Sequence, residues 1–307
     1  MNETLIPILV GTVAAATPLI LAGLGELVTE RSGVINLGVE GMMLVGAIAG
    51  FAVVVGGGGN WGGLAAGAVA GAASSILFCV LALTLLANQI ASGLALTIFG
   101  VGLSAFVGQS FTGISLKGMP PINIPGLSDI PVLGVVLFKQ DPVTYLALLL
   151  FVAIWWVLRK TKVGLVIRAV GESPESAHSI GYSVIGIRYL TTIFGGAMAG
   201  LAGAYLSIVY TPLWVENMTA GRGWISVALV AFATWRPARL LAGAYLFGGV
   251  TIVQFHAQGL GIPIPSELLS MLPYLATIIV LVIISRNRQL IRLNFPASLG
   301  KAYLPSA

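Results

Sequence analysis

Two short stretches hold most of the residues in this 307-residue chain that could do chemistry. The first, GELVTERSGVINLGVEGMM (25–43), sets Glu26, Glu30, Arg31, Asn36 and Glu40 among the glycines Gly33, Gly38 and Gly41. Carboxylates flanked by apolar runs are expensive to bury, so they face a cavity, a partner helix or one another. Arg31 is placed to neutralise Glu26 or Glu30. Asn36 and Glu40, four residues apart, share one face if the segment is helical. They either line a solute pathway or gate, or bond a neighbouring helix. The glycines permit a helix break, and transporters place substrate and gating sites at such breaks. An equally direct reading puts these groups at a membrane interface, where they fix a turn.

The second stretch is RAVGESPESAHSIGYSVIGIR (168–188). Ser173 can cap a helix, Pro174 suits its first position, and Gly181 suits the residue just past its end. This predicts a helix of about two turns, too polar for lipid and too short to be stable alone. It is either a docking element ordered by another protein or a surface loop. Elsewhere Asn88 and Ser92, four apart beside Gln89, interrupt an apolar run and either line a pathway or belong to a turn. Glu216, Asn217 and Arg222 either receive a docking protein or cap the flanking helices. His178 and His256 are too far apart in sequence to suggest a metal site, and Cys79 has no partner for a disulfide. No G-x-x-x-x-G-K-[ST], G-x-S-x-G or H-E-x-x-H sequence occurs, so neither nucleotide hydrolysis nor the hydrolase chemistries of those motifs is expected of this polypeptide, and it needs no cofactor of its own.

The elements that position these groups are set by composition. Charged residues make up 8% of the chain and hydrophobic ones 57%, with a mean hydropathy of +1.00. A water-soluble fold could not cover its surface with so little charge. The run from Gly41 to Leu116 contains no Asp, Glu, Lys or Arg. At about 20 residues per crossing it can traverse a bilayer three times. The expected fold is an all-α integral membrane protein, a polytopic bundle forming a single domain over 1–307. Apolar segments at 5–28, 37–55, 62–86, 90–110, 143–158, 189–210, 223–235, 240–256 and 271–285 suggest about nine membrane helices. The N-terminal MNETLIPILV lacks a basic leader and reads as the start of a retained span. Prolines 120, 121, 125, 131 and 142 break the stretch 111–142, which is expected to be an external loop with a short amphipathic piece.

Basic residues favour cytoplasmic loops. Arg159, Lys160, Lys162, Arg168 and Arg188 therefore place 159–188 inside, and counting crossings outward leaves only Lys117, Lys139 and Arg222 of the fifteen basic residues outside. The N-terminus is then outside and the C-terminus cytoplasmic. The net charge of +5 is accounted for by this topology and by membrane lipid, with no nucleic acid. A faint echo links Glu30, Arg31 and Gly33 to Glu216, Arg222 and Gly223 on the opposite side, as an inverted repeat requires; chance similarity explains it equally well.

The stretch 168–188 resembles the coupling-helix loop of ABC importer permeases. GELVTERSGVINLGVEGMMLVGA, ANQIASGLALTI, TKVGLVIRAVGE and VENMTAGRGWISVALVAFATWRP are similar to permeases of the ribose, branched-chain amino acid and nucleoside type, and most similar to the nucleoside-type branch. Trp224 and Trp235 depart from its more generic apolar residues. The resemblance implies that Gly171, Glu172, Pro174, Glu175, Ala177 and Gly181 couple to a separate ATPase subunit that binds ATP and Mg. It also implies a second, homologous permease forming a heterodimer, a lipoprotein substrate-binding protein, and a place in a bacterial-type inner membrane. The rival readings are a secondary transporter driven by an ion gradient through acids such as Glu40, and a membrane-embedded enzyme.

Overall fold

The computed structural model describes residues 2–259 and 294–304, with isolated positions between 265 and 282. Helix α1 (Asn2–Arg31) is followed by α2 (Val39–Val55), α3 (Gly59–Cys79, prolonged by a π turn to Thr84) and α4 (Gln89–Gly108). After the proline-rich stretch come α5 (Leu133–Phe138), α6 (Pro142–Lys160), α7 (Lys162–Glu172) and α8 (Pro174–Ser179). Then follow α9 (Val184–Tyr205, prolonged by a π turn to Tyr210), α10 (Arg222–Phe232) and α11 (Pro237–Gly259). The sole bridge among the described residues joins Ser115 to Leu213.

Among the described residues, six helices are long and apolar enough to span a membrane: Leu5–Arg31, Gly59–Thr84, Gln89–Phe111, Pro142–Lys160, Val184–Tyr210 and Pro237–Gly259. The expected spans at 37–55 and 223–235 correspond to the shorter apolar helices α2 and α10, of 17 and 11 residues. The last expected span, 271–285, lies outside the continuously described residues, as do Arg286, Arg288 and Arg292. Length and hydropathy thus account for six of the expected nine.

Helix α9 is the centre of the bundle. Its apolar window is 72% buried, against 28–44% for the other five spans, and it packs on α1, α2 and α3. Close approach is possible because small residues recur every four positions on both α3 and α9, and small side chains let membrane helices touch through their backbones. At Gly200 a Cβ would collide with the Gly67 carbonyl oxygen, and at Gly71 with that of Gly196. Helices α1 and α9 run antiparallel: Thr29 Oγ1 donates to Thr191 O at 3.2 Å near one end, and Tyr205 OH to Ala14 O at 3.3 Å near the other.

Two crossings are only partly helical. Residues 32–38 leave the end of α1 and fold back beside it, with the Asn36 N–H on Glu26 Oε1 at 3.2 Å, before α2 begins. Gly33, at φ +93°, makes the reversal. Residues 211–221 likewise separate α9 from α10, through left-handed backbone at Asn217, Ala220 and Gly221. At 1.5 Å per residue the 11 residues of α10 cover about 16 Å, half of a hydrocarbon core of roughly 30 Å. The order long helix, non-helical stretch, shorter helix, long helix therefore occurs twice, in α1–α3 and in α9–α11.

Gly200→Val should destabilise the bundle by about 3 kcal/mol, the upper range for overpacking a close-packed interior. Gly102→Val, where a Cβ meets nothing within 4 Å, should be neutral. Yield of monodisperse protein after detergent extraction, with thermal midpoints, separates the two.

Candidate functional site

The two part-helical crossings meet at Glu40. Its Oε1 accepts from Thr219 Oγ1 at 2.5 Å and from the Gly221 N–H at 2.8 Å, and its Oε2 from the Gly223 N–H at 2.6 Å. The side chain is buried, 6% exposed. Glu40 belongs to the first turn of α2, while Gly221 and Gly223 belong to the start of α10. Helix N-termini present unpaired N–H groups and partial positive charge. The carboxylate therefore satisfies the start of α10 while standing in the first turn of α2, where its charge also suits that helix's positive end. A Cβ at Gly223 would lie 2.5–2.7 Å from Glu40 atoms, so only glycine admits this approach.

Around this contact the structure revises two expectations. Asn36 does not share a helical face with Glu40, because α2 begins only at Val39. Asn36 lies in the non-helical stretch and its Oδ1 accepts from the Gly38 N–H at 2.9 Å, a local turn that competes with helix. Arg31 neutralises neither Glu26 nor Glu30. Its guanidinium donates to the carbonyls of Trp235 at 2.8 Å and Asn294 at 3.2 Å, and Glu30 Oε2 accepts from Trp235 Nε1 at 2.6 Å. Trp235, which stands out from the motif, is thus the indole donor that a buried carboxylate requires.

Asn88 is the N-cap of α4, accepting from the Ala91 N–H at 3.0 Å, and Ser92 is buried one turn further on. Neighbouring Gln89 accepts from the Ile35 N–H at 2.9 Å and ties this turn to the residues before α2. Glu216 is exposed and lines a cavity of about 460 Å3 with Gln109 and Trp214. Asn217 is exposed with φ +54°. The Arg222 guanidinium donates to Met218 O at 3.2 Å and lies 5.8 Å from the Tyr210 ring centroid.

At the end of the bundle that carries Arg31, Arg168 and Arg236, α8 follows α7 across one residue. Ser173 Oγ accepts from the Ser176 N–H at 3.3 Å, and Gly181 takes φ +93° just past the end. Pro174 and Ala177 face inward and are buried, whereas Glu172, Glu175 and Gly181 are exposed. Gly171 is buried where a Cβ would strike the Arg31 carbonyl. Residues 294–304 bind this assembly together. Ser298 Oγ donates to Gly171 O at 2.7 Å and accepts from Arg188 at 3.1 Å, and the Gly300 N–H donates to Gly33 O at 3.1 Å. Arg188, 1% exposed, also donates to the carbonyls of Ser32 and Lys301. Tyr303 packs with Val170, Ala177 and Val184.

Sequence reasoning missed helix α7 and the burial of Arg188. The α7 signal was Thr161, whose side chain accepts from the Gly164 N–H, ahead of an amphipathic run. Arg188 gave no such signal, since its acceptors come from residues more than a hundred positions away.

A bundle of apolar helices, with two interrupted crossings pinned by a buried carboxylate and a capped polar helix at its basic end, is the membrane domain of a transport permease. Residues 8–281 match the family model described as branched-chain amino acid transport system / permease component, and the chain belongs to that family. It is 43% identical to a putative glucose ABC transporter permease of Haloferax volcanii, over 95% of each chain. It is 34% identical to the guanosine ABC transporter permease NupQ of Bacillus subtilis, over 88% of this chain and 89% of the relative. It is 33% identical to the nucleoside ABC transporter permease NupC of Lactococcus lactis, over 95% and 92%. No solved structure matches. The chain is an ABC transporter permease subunit.

Glu40→Ala strands two buried N–H groups and should cost about 3 kcal/mol, at 1–3 for each unsatisfied donor. Glu40→Gln keeps one acceptor oxygen and should cost roughly half as much. Thermal midpoints in detergent should rank wild type above Gln above Ala.

Proposed function

We propose that this permease forms, with a second homologous permease, the pathway of a binding-protein-dependent importer for nucleosides. ATP and Mg bind to a separate ATPase subunit, and a lipoprotein receptor delivers the solute. The observation that carries the substrate class is the similarity, over about nine-tenths of the chain, to relatives named for guanosine and nucleosides. The putative glucose permease favours a second reading, a simple sugar. Both solutes are neutral and polyhydroxylated.

In this reading the chain is one membrane domain of a bacterial-type inner membrane, built as an inverted repeat, with its N-terminus outside and its basic end in the cytosol. Residues 159–188 form the cytoplasmic coupling loop and 111–142 the external one. Helix α8 is the coupling element. It offers Glu172, Glu175 and Gly181 to the ATPase and keeps Pro174 and Ala177 on the bundle, with Gly171 as the tight joint to the end of α1. Closure of the ATPase dimer moves α8, and Ser298 and Arg188 carry that movement to the turn at Gly33 and so to the start of α2. Glu40 then gates by holding or releasing the N-terminus of α10, with Asn36 steadying its approach and Asn88 and Ser92 ordering the adjoining turn. Glu216, Asn217 and Arg222 lie at the opposite end of α9, toward the receptor.

Reconstituted with its ATPase, sister permease and receptor, the complex should accumulate labelled guanosine in an ATP-dependent way, resisting excess glucose. Competition by glucose alone would transfer the assignment to sugars, and uptake without the ATPase would overturn it. Glu175→Lys should leave assembly and ATP hydrolysis intact while abolishing uptake. Normal uptake by that variant would remove α8 from the coupling path.

A further inference from the structure

At the basic end a second cavity, of about 440 Å3, opens between the ends of α1, α6 and α7 and the start of α11. Five arginines line it: Arg31, Arg159, Arg168, Arg236 and Arg239. No carboxylate among the described residues lines it. The hydrogen-bond partners described for these guanidiniums are neutral, and the Glu172 carboxylate, outside the cavity lining, offsets only part of the repulsion that Arg168 and Arg236 exert on Arg31. Arg31 donates to two carbonyls, Arg168 to Gly164 O at 3.3 Å, Arg236 to Asn294 Oδ1 at 3.4 Å and Arg239 to Thr234 Oγ1 at 2.8 Å, while Arg159 lies 5.8 Å from the centroid of the Trp155 ring. Pro237 opens α11 on the same cavity, so a 23-residue helix directs its positive end there as well.

Like charges gathered around one small volume repel, and an anion in their midst reverses the sign of the interaction. The wall beside this cavity indicates where that anion comes from. Helix α6 ends there, and its outward face presents Leu149, Val152 and Trp156, each more than half exposed. Such a face is in contact with lipid. Trp155 and Trp156 stand at the depth where indoles favour the headgroup layer. Basic pockets at this depth between membrane helices receive anionic headgroups. We infer that the cavity lined by Arg31, Arg159, Arg168, Arg236 and Arg239 is a binding site for the phosphate of an anionic phospholipid, entered from the bilayer along α6. The lipid phosphate lies among the guanidiniums and its acyl chains run down the α6 face. Arg31 and Trp235 join the site to the ends of α1 and α10, so an occupied cavity braces both.

The site depends on the membrane setting alone and stands whether or not the nucleoside assignment does. The test uses the purified full-length protein in nanodiscs of phosphatidylcholine, alone or mixed equally with phosphatidylglycerol. Arg159→Gln combined with Arg236→Gln removes two exposed guanidiniums and leaves the Arg31 contacts in place. Wild-type protein should gain thermal stability only in the phosphatidylglycerol discs and retain that lipid through native mass spectrometry. The double variant should match wild type in phosphatidylcholine and hold phosphatidylglycerol roughly twenty-fivefold more weakly, about fivefold for each charge near the surface. Equal stability of wild type in both discs, or retention unchanged in the variant, overturns the inference. Stabilisation by inorganic phosphate in phosphatidylcholine discs equal to that by phosphatidylglycerol would make the ligand a soluble anion, and overturns the lipid assignment. If the double variant keeps its lipid yet no longer co-purifies from native membranes with an ATPase subunit that wild type retains, the arginines serve a protein partner and the inference is overturned.

Discussion

Where a crossing stops being helical inside an apolar medium, backbone N–H groups lose their partners, and with no water to replace them each lost bond costs several kcal/mol. This chain interrupts two crossings and brings the exposed start of one, α10, onto the first turn of the other, α2. Glu40 resolves the conflict with three accepted hydrogen bonds. Thr219, Gly221 and Gly223 all donate to that carboxylate, on a stretch that passes through left-handed backbone at Asn217, Ala220 and Gly221. The negative charge is tolerated for the complementary reason, since two helix dipoles converge on it.

A second junction connects this point to the basic end. The non-helical residues before α2 run from Gly33, whose carbonyl is held by Gly300, to Asn36 beside Glu26. Ser32, Gly171 and Arg188 share the same few ångströms, and α8 rests on Val170 and Val184 through Ala177. Gly171, whose Cα faces the Arg31 carbonyl, lies between the capped polar helix and the turn that leads to Glu40. The one long side chain among these residues, Arg188, is buried and held at Ser32, Ser298 and Lys301, and close-packed interiors of this kind yield little to strain. The lipid site adds a third support, holding the ends of α1 and α10 at the depth of the headgroups.

Much of this was legible beforehand, for identifiable reasons. Long apolar runs are read by length, and α1, α3, α4, α6, α9 and α11 emerged close to the segments expected. The short α8 was visible because Ser173, Pro174 and Gly181 are capping residues acting locally. Asn36 and Glu40 would share a face only inside a helix, and α2 begins at Val39, after Gly33 and Gly38. Arg31 misled in another way. Charge complementarity with Glu30 is evident along the chain, but Trp235 and Asn294 approach from elsewhere and supply better-directed partners. Burial of Arg188 and the contacts of Glu40 are long-range facts of this kind, and no local pattern encodes them.

The stitching of residues 298–301 onto Arg188 bears on how the protein is made. As the polypeptide leaves the ribosome, the guanidinium is committed to its helix more than a hundred residues before its acceptors at Ser298 and Lys301 exist. Without residues 298–301, the partners described for this buried cation reduce to the Ser32 carbonyl and the Glu175 carboxylate acting at longer range, so the final residues of the bundle complete the burial of a charge that enters near its middle.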